Sequence, residues 1–282
     1  MSLEKTEGPQ TVVPSPPRRG AHFWTRQQRI VFWRIVFGVV LFGSWQISSD
    51  YGWIEKVFFS RPSDIVVRTV QLVFGGEVWL HLGITLQEIV YGFAMGATCG
   101  LILGFILGRS EYLSAIFEPY LLAFYGIPRI ALAPILIIWL GIDIWSKVAI
   151  VFIQVFFLVF INTYSGMRNI NEEFVYLARV MGASEGLILR RIILPSAAPF
   201  IMVGLRSSVP YSVVGAVVGE FMAANKGLGY YIYHAGATFD SAGAFAGIAV
   251  LLAYTVTANA LIQKVERWAI RWKESAKTQV DI

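Results

Sequence analysis

Six stretches of this sequence are each long and apolar enough to cross a lipid bilayer, which restricts the chain to folds whose main solvent is lipid. A spanning helix needs roughly 20 mostly apolar residues, and the runs fall at about 30–47, 84–107, 120–140, 148–164, 201–222 and 244–262. Of the 282 residues, 56% are hydrophobic and only 15% charged, a balance far too apolar for a soluble domain of this size. The long continuous runs lack the strand-and-turn alternation of a barrel, and a helix satisfies its own backbone inside lipid. The expected fold class is an all-α membrane protein with six transmembrane helices.

The net charge of +5 raises nucleic acid as a partner, but the basic residues concentrate just outside the apolar runs. That is how membrane orientation is written, with Lys and Arg retained on the cytoplasmic side. Arg18, Arg19, Arg26, Arg29 and Arg34 precede or begin the first run. Arg168, Arg179, Arg190 and Arg191 lie in the long loop 165–196, and Lys264, Arg267, Arg271, Lys273 and Lys277 follow the last run. Both termini and that loop are expected in the cytoplasm, and no nucleic-acid role is expected.

Residues 1–29, with Pro9, Pro14, Pro16 and Pro17, have no sustained helical periodicity and read as a disordered cytoplasmic tail. They lack the early apolar core and small-residue cleavage site of a signal peptide, so the first run is expected to remain as an anchor. Residues 30–79 then hold the first spanning helix and an extracytoplasmic segment, where Pro62-Ser63-Asp64 marks the start of a short helix. Residues 80–264 form the main transmembrane domain, and 265–282 a cytoplasmic tail.

Little in the chain supports catalysis. Cys99 is the only cysteine, and His22, His81 and His234 have no ligand-like neighbours in zinc spacing, so no metal is expected. Ser207-Ser208 lacks a nearby base, and no G-x-x-x-x-G-K-[ST] loop is present to cradle a nucleotide. Any ATP and Mg would have to be held by another subunit.

Gly92, Gly96, Gly100, Gly104 and Gly108 recur every four residues and line one helix face. Such a smooth stripe permits close helix packing, or it forms a face that slides during a change of state. Arg129, Arg206 and Glu220 fall within apolar runs, where ionisable groups are costly. They are candidates for a translocation path; Arg129 and Arg206 could instead snorkel to the interface, and Glu220 could act structurally at the outer mouth.

The long loop reads Tyr176-Leu177-Ala178-Arg179-Val180-Met181-Gly182-Ala183-Ser184 and then Ile192-Ile193-Leu194-Pro195. It resembles the E-A-A, three residues, G, nine residues, I-x-L-P loop of permeases in binding-protein-dependent ABC importers, matching at Ala178, Gly182, Ile192, Leu194 and Pro195. Tyr176 and Leu177 depart from the pattern, so the resemblance does not extend to a salt bridge at Tyr176. Ile127-Pro128-Arg129-Ile130-Ala131-Leu132-Ala133-Pro134, Trp139-Leu140-Gly141, Gly219-Glu220-Phe221 and Lys226-Gly227-Leu228-Gly229-Tyr230 are similar to the nitrate, sulfonate and taurine branch of that family.

The resemblance implies the type I importer permease fold in a bacterial inner membrane, with the loop coupling to an ATPase. Small Ala178, Gly182 and Ala183 would allow close approach, Gly182 would turn the chain, and Pro195 would begin the next element without needing its N–H. It further implies two ATP-binding subunits, a second permease copy as a homodimer and an extracytoplasmic substrate-binding protein. The cargo would be a small anion such as a sulfonate, taurine, nitrate or organic carboxylate, with a pyrimidine or other vitamin precursor as the alternative. An ion-coupled secondary transporter should show inverted repeats, and a membrane enzyme a clustered acid, base or metal set; the sequence displays neither.

Overall fold

The computed structural model describes residues 25–270; the expected tails through residue 24 and from residue 271 lie outside them. Thr25 opens α1 (Arg26–Asp50) with a reciprocal cap, its hydroxyl accepting from the Gln28 amide while the Gln28 side chain accepts from the Thr25 amide. Residues 26–29, expected in the tail, are therefore helical. The most apolar stretch of α1 is not buried against the rest of the protein. The helix is tied down at its far end, where Gln46 accepts from the Ser63 amide, Ser49 donates to the Ser60 carbonyl, and Asp50 pairs with Arg61 at 3.2 Å.

A short α2 (Lys56–Phe59) leads to α3 (Pro62–Phe74), which starts at Pro62 as the sequence predicts. The bundle then continues through α4 (Glu77–Arg109), α5 (Glu111–Tyr125), a 3₁₀ turn (Arg129–Leu132), α6 (Ala133–Leu140) and α7 (Ile144–Arg168). It is completed by α8 (Glu172–Val180), α9 (Glu185–Ile188), a π turn (Leu189–Ile193), α10 (Leu194–Ala223), α11 (Leu228–Ala237) and α12 (Ser241–Ala269). Among the described residues, five helices are long and apolar enough to cross a membrane.

The remaining crossing, third in chain order, is a bent pair of helices. The expected span 120–140 divides into α5 and the 3₁₀–α6 segment, which meet at 84°. Pro128 disfavours the helical region for Ile127, and the amides of Gly126 and Ile127 close tight turns onto Ala123 and Phe124 before the chain changes direction.

The core is built on α7. Its valines at 148, 151, 155 and 159 are buried almost completely. The five glycines of α4 form a groove for one ridge of α7 that runs parallel to it: Gly92 meets Val151, Gly96 meets Val155, Gly100 meets Val159, Gly104 meets Thr163 and Gly108 meets Met167. A Cβ at Gly100 would lie 2.8 Å from the Phe156 carbonyl oxygen, so glycine is what brings the two backbones together. On another face α10 runs antiparallel, with Gly219 against Lys147, Gly215 against Val151 and Gly204 against Asn162.

Pro195 does not begin a new element. The helix is continuous for 39 residues from Glu185 to Ala223, and the π turn ends at Ile193, two positions before the proline. A proline lacks the N–H for a regular helical bond and crowds the carbonyl four residues back; the widened turn accommodates both.

Candidate functional site

Two regions concentrate the predicted site residues, one at each end of α10. At its N-terminal end, the Asn171 side chain caps α8 by accepting from the Glu173 amide at 2.9 Å. Val175 faces inward onto Met167, Ile188, Ile193 and Ala197, with Ala178, Ala183 and Ile192 packed against this cluster. Gly182 then turns the chain with φ +82°, a left-handed conformation that favours glycine, and the Ser184 side chain caps α9. Arg179 chelates Glu185 at 2.7 and 3.3 Å, and Arg109 reaches the same carboxylate at 3.3 Å. The Glu185 carboxylate holds the Arg179 guanidinium still higher than its ordinary value. Exposed pairs of this kind add little stability and serve to orient the two short helices.

The outward surface of this loop carries large apolar side chains among its charged ones. Tyr176 is 71% exposed and Met181 79%, beside Phe174, Leu177 and Val180. The small residues expected to permit docking divide differently: Ala178 and Ala183 pack against the loop's own core, while Gly182 has open space where a Cβ would stand. Phe174, Val180 and Met181 were not singled out by the sequence motif. The four-residue spacing from Tyr176 to Val180 on a helix was the signal that could have found part of this face. Leu194 is partly exposed, at the start of α10.

At the other end, the three depth charges separate. Glu220 is 1% exposed and caps α11: its carboxylate accepts from the Thr85 hydroxyl at 2.6 Å and from the Gly229 amide, with a further bond from the Tyr230 amide. Thr85 in turn accepts the Leu228 amide at 2.8 Å, and His81 Nδ1 accepts the Gly227 amide at 3.1 Å. The first-turn donors of α11, ordinarily left unpaired, are thus taken by side chains of α4 and α10. Arg206 is exposed and lies 3.9 Å from Glu266. Arg129 sits at the bend of the third crossing, its guanidinium over the rings of Tyr125 at 4.6 Å and Phe157 at 5.5 Å.

Sequence reasoning missed Glu88 and Lys147, which are 2% and 3% exposed. Both interact electrostatically with Glu220. The Lys147 ammonium donates to the carbonyls of Ile142, Asp143 and Ala223. An ammonium hydrogen-bonded to several carbonyls is a form in which a charge is tolerated on burial. Among the described residues no group of three or more His, Cys, Asp or Glu could hold a metal ion.

Five long apolar helices, with the bent pair as a sixth crossing, define a multi-pass membrane protein. Residues 96–271, more than half of the chain, match the family described as binding-protein-dependent transport system inner membrane component. The chain belongs to that family, as the permease subunit of an ABC importer of the inner membrane. It is 35% identical over 239 residues to the formylaminopyrimidine transport permease protein ThiX of Halalkalibacterium halodurans, covering 85% of this chain and 95% of that one. It is 32% identical over 244 residues to SsuC of Escherichia coli, named for aliphatic sulfonates transport, covering 86% and 92%. A solved inward-facing MetNI methionine ABC transporter shares the fold at 21% identity, with a TM-score of 0.51 over 69% of this chain and 93% of that one.

Proposed function

We propose that two copies of this permease, two ATP-binding subunits and an extracytoplasmic binding protein form an importer for a small anionic solute. The observation that carries the assembly is the exposed apolar face of Phe174, Tyr176, Leu177, Val180 and Met181 on a loop braced by ion pairs. Such a face is suited to a protein groove, and ATP and Mg belong to the subunit that supplies the groove. The arginine-rich loop and both termini lie in the cytoplasm in this reading, as the distribution of basic residues favours. Lys226 and α11 then face the binding protein.

The anionic cargo is supported by similarity to sulfonate permeases. A pyrimidine or other vitamin precursor is the second reading, favoured by the similarity to ThiX and to RibX of Chloroflexus aurantiacus, named for riboflavin transport. The test is reconstitution in proteoliposomes with its cognate ATPase and binding protein. ATP-dependent uptake of an alkanesulfonate supports the first reading, and uptake of formylaminopyrimidine alone supports the second. Uptake driven by an ion gradient without the ATPase would overturn both.

A further inference from the structure

Arg129 is held in a corner between α5 and α7. Tyr125 and Phe157 meet edge to face, their centroids 6.4 Å apart at 61°, and the guanidinium lies over both rings. Stacking on aromatic faces leaves the in-plane N–H edge of a guanidinium free to donate. Among the described residues no acceptor takes it: Arg129 has no carboxylate partner and no hydrogen bond, and its Nε is buried without a partner. Arg129 as a whole is half-buried, and a single buried N–H without an acceptor is already unfavourable. Six of the described arginines stand within 4.0 Å of a carboxylate; of those that do not, Arg129 is the one whose guanidinium lies over two aromatic rings with a buried Nε. Arg129 is fixed by these rings at the point where Pro128 interrupts the crossing, beside the 3₁₀ turn.

We infer that Arg129, oriented by Tyr125 and Phe157, forms an oxyanion-binding subsite of the permeation path, taking the sulfonate or carboxylate group of the cargo on the free edge of its guanidinium. The inference rests on the anionic-cargo reading. Two parallel N–H groups match two oxygens of such a group, whereas an ammonium offers a point charge. Tyr125 and Phe157 are positioning residues; they hold the plane of the guanidinium and do not bind the anion.

The test uses the assembled importer in proteoliposomes, with ethanesulfonate as the probe and uptake measured over a range of its concentration. Arg129→Gln should lower uptake about tenfold or more, the worth of a charged hydrogen-bonded contact. Arg129→Lys should fall between that variant and the wild type. Tyr125→Leu should raise the half-saturating concentration several-fold, and Tyr125→Phe should restore it. Co-purification of two permease copies with the ATPase establishes that each variant assembles. Near-normal ethanesulfonate uptake by Arg129→Gln would overturn the subsite while leaving the anionic reading intact. Loss of assembly in Arg129→Gln would also overturn it, making Arg129 an interface residue. Wild-type uptake of formylaminopyrimidine and not of ethanesulfonate would overturn the anionic reading and the subsite with it.

Discussion

Thr85 donates its hydroxyl proton to Glu220 at 2.6 Å and, through the same oxygen, accepts the Leu228 amide at 2.8 Å. One hydroxyl therefore joins α4, α10 and α11. Thr85→Val keeps the shape but leaves a buried amide unpaired, and removes one bond from the carboxylate. The expected cost is about 1–3 kcal/mol, seen as a lower thermal midpoint in detergent. Thr257→Val, which removes an exposed bond to the Ala253 carbonyl, should change little. Equal midpoints for the two variants would contradict the bridging role.

Lys147 is the positive member of the group containing Glu88 and Glu220. Lys147→Met removes three hydrogen bonds to carbonyls, leaves two buried carboxyl groups stranded without its charge, and should cost about 1–3 kcal/mol. Combining it with Glu88→Gln removes one of the stranded carboxyls, so the double variant should melt above the single one. A double variant less stable than Lys147→Met would show that the charges do not compensate each other.

The glycine groove makes a steric prediction. Gly100→Ala places a methyl group against the Phe156 and Phe160 backbone, 2.8 and 3.0 Å away, and should destabilise the bundle by about 1–3 kcal/mol through overpacking. Gly38→Ala meets nothing within 4 Å and should leave the melting midpoint within experimental scatter. A wild-type midpoint for Gly100→Ala would mean that α4 and α7 separate readily.

Gly182 is constrained by backbone conformation and not by space. Its positive φ costs a β-branched residue roughly 1–2 kcal/mol, whereas asparagine visits that region more readily. Gly182→Val should therefore reduce cargo moved per ATP hydrolysed more than Gly182→Asn does. Matched ratios for the two would argue against the proposed coupling role of the turn.

Orientation is open to direct measurement. Reporter fusions after Arg190 and after Lys226 should report opposite sides of the membrane, with alkaline phosphatase active only at Lys226. Phosphatase activity at both positions would break the six-crossing arrangement.

The groove on α4 was legible because a repeat of four residues translates directly into one face of a helix. The motif in the long loop likewise carried the turn at Gly182, since a glycine between two short helices has a local cause. Glu88 and Lys147 were not singled out because each lies in or beside an apolar run, and their company is set by tertiary packing. The principle that ionisable groups at membrane depth require an explanation applied to both, as it did to Glu220. Pro128 and Pro195 show why composition alone misjudges helix ends: one proline accompanies an 84° bend, the other is absorbed by a π turn. The difference lies in how the neighbouring backbone can relax, which the residue type does not specify.

The unbroken helix from Glu185 to Ala223 has a mechanical consequence. At 1.5 Å per residue its 39 residues form a lever of roughly 60 Å, with the Arg179–Glu185 pair at one tip and Glu220 near the other. Its stiffness is not uniform: the π turn and the prolines at 199 and 210 are points of compliance where hydrogen bonds are missing or stretched. Tilting force applied at Ser184 is therefore delivered to Glu220, and through it to α11, with the bending confined to those points and the intervening segments moving as rods.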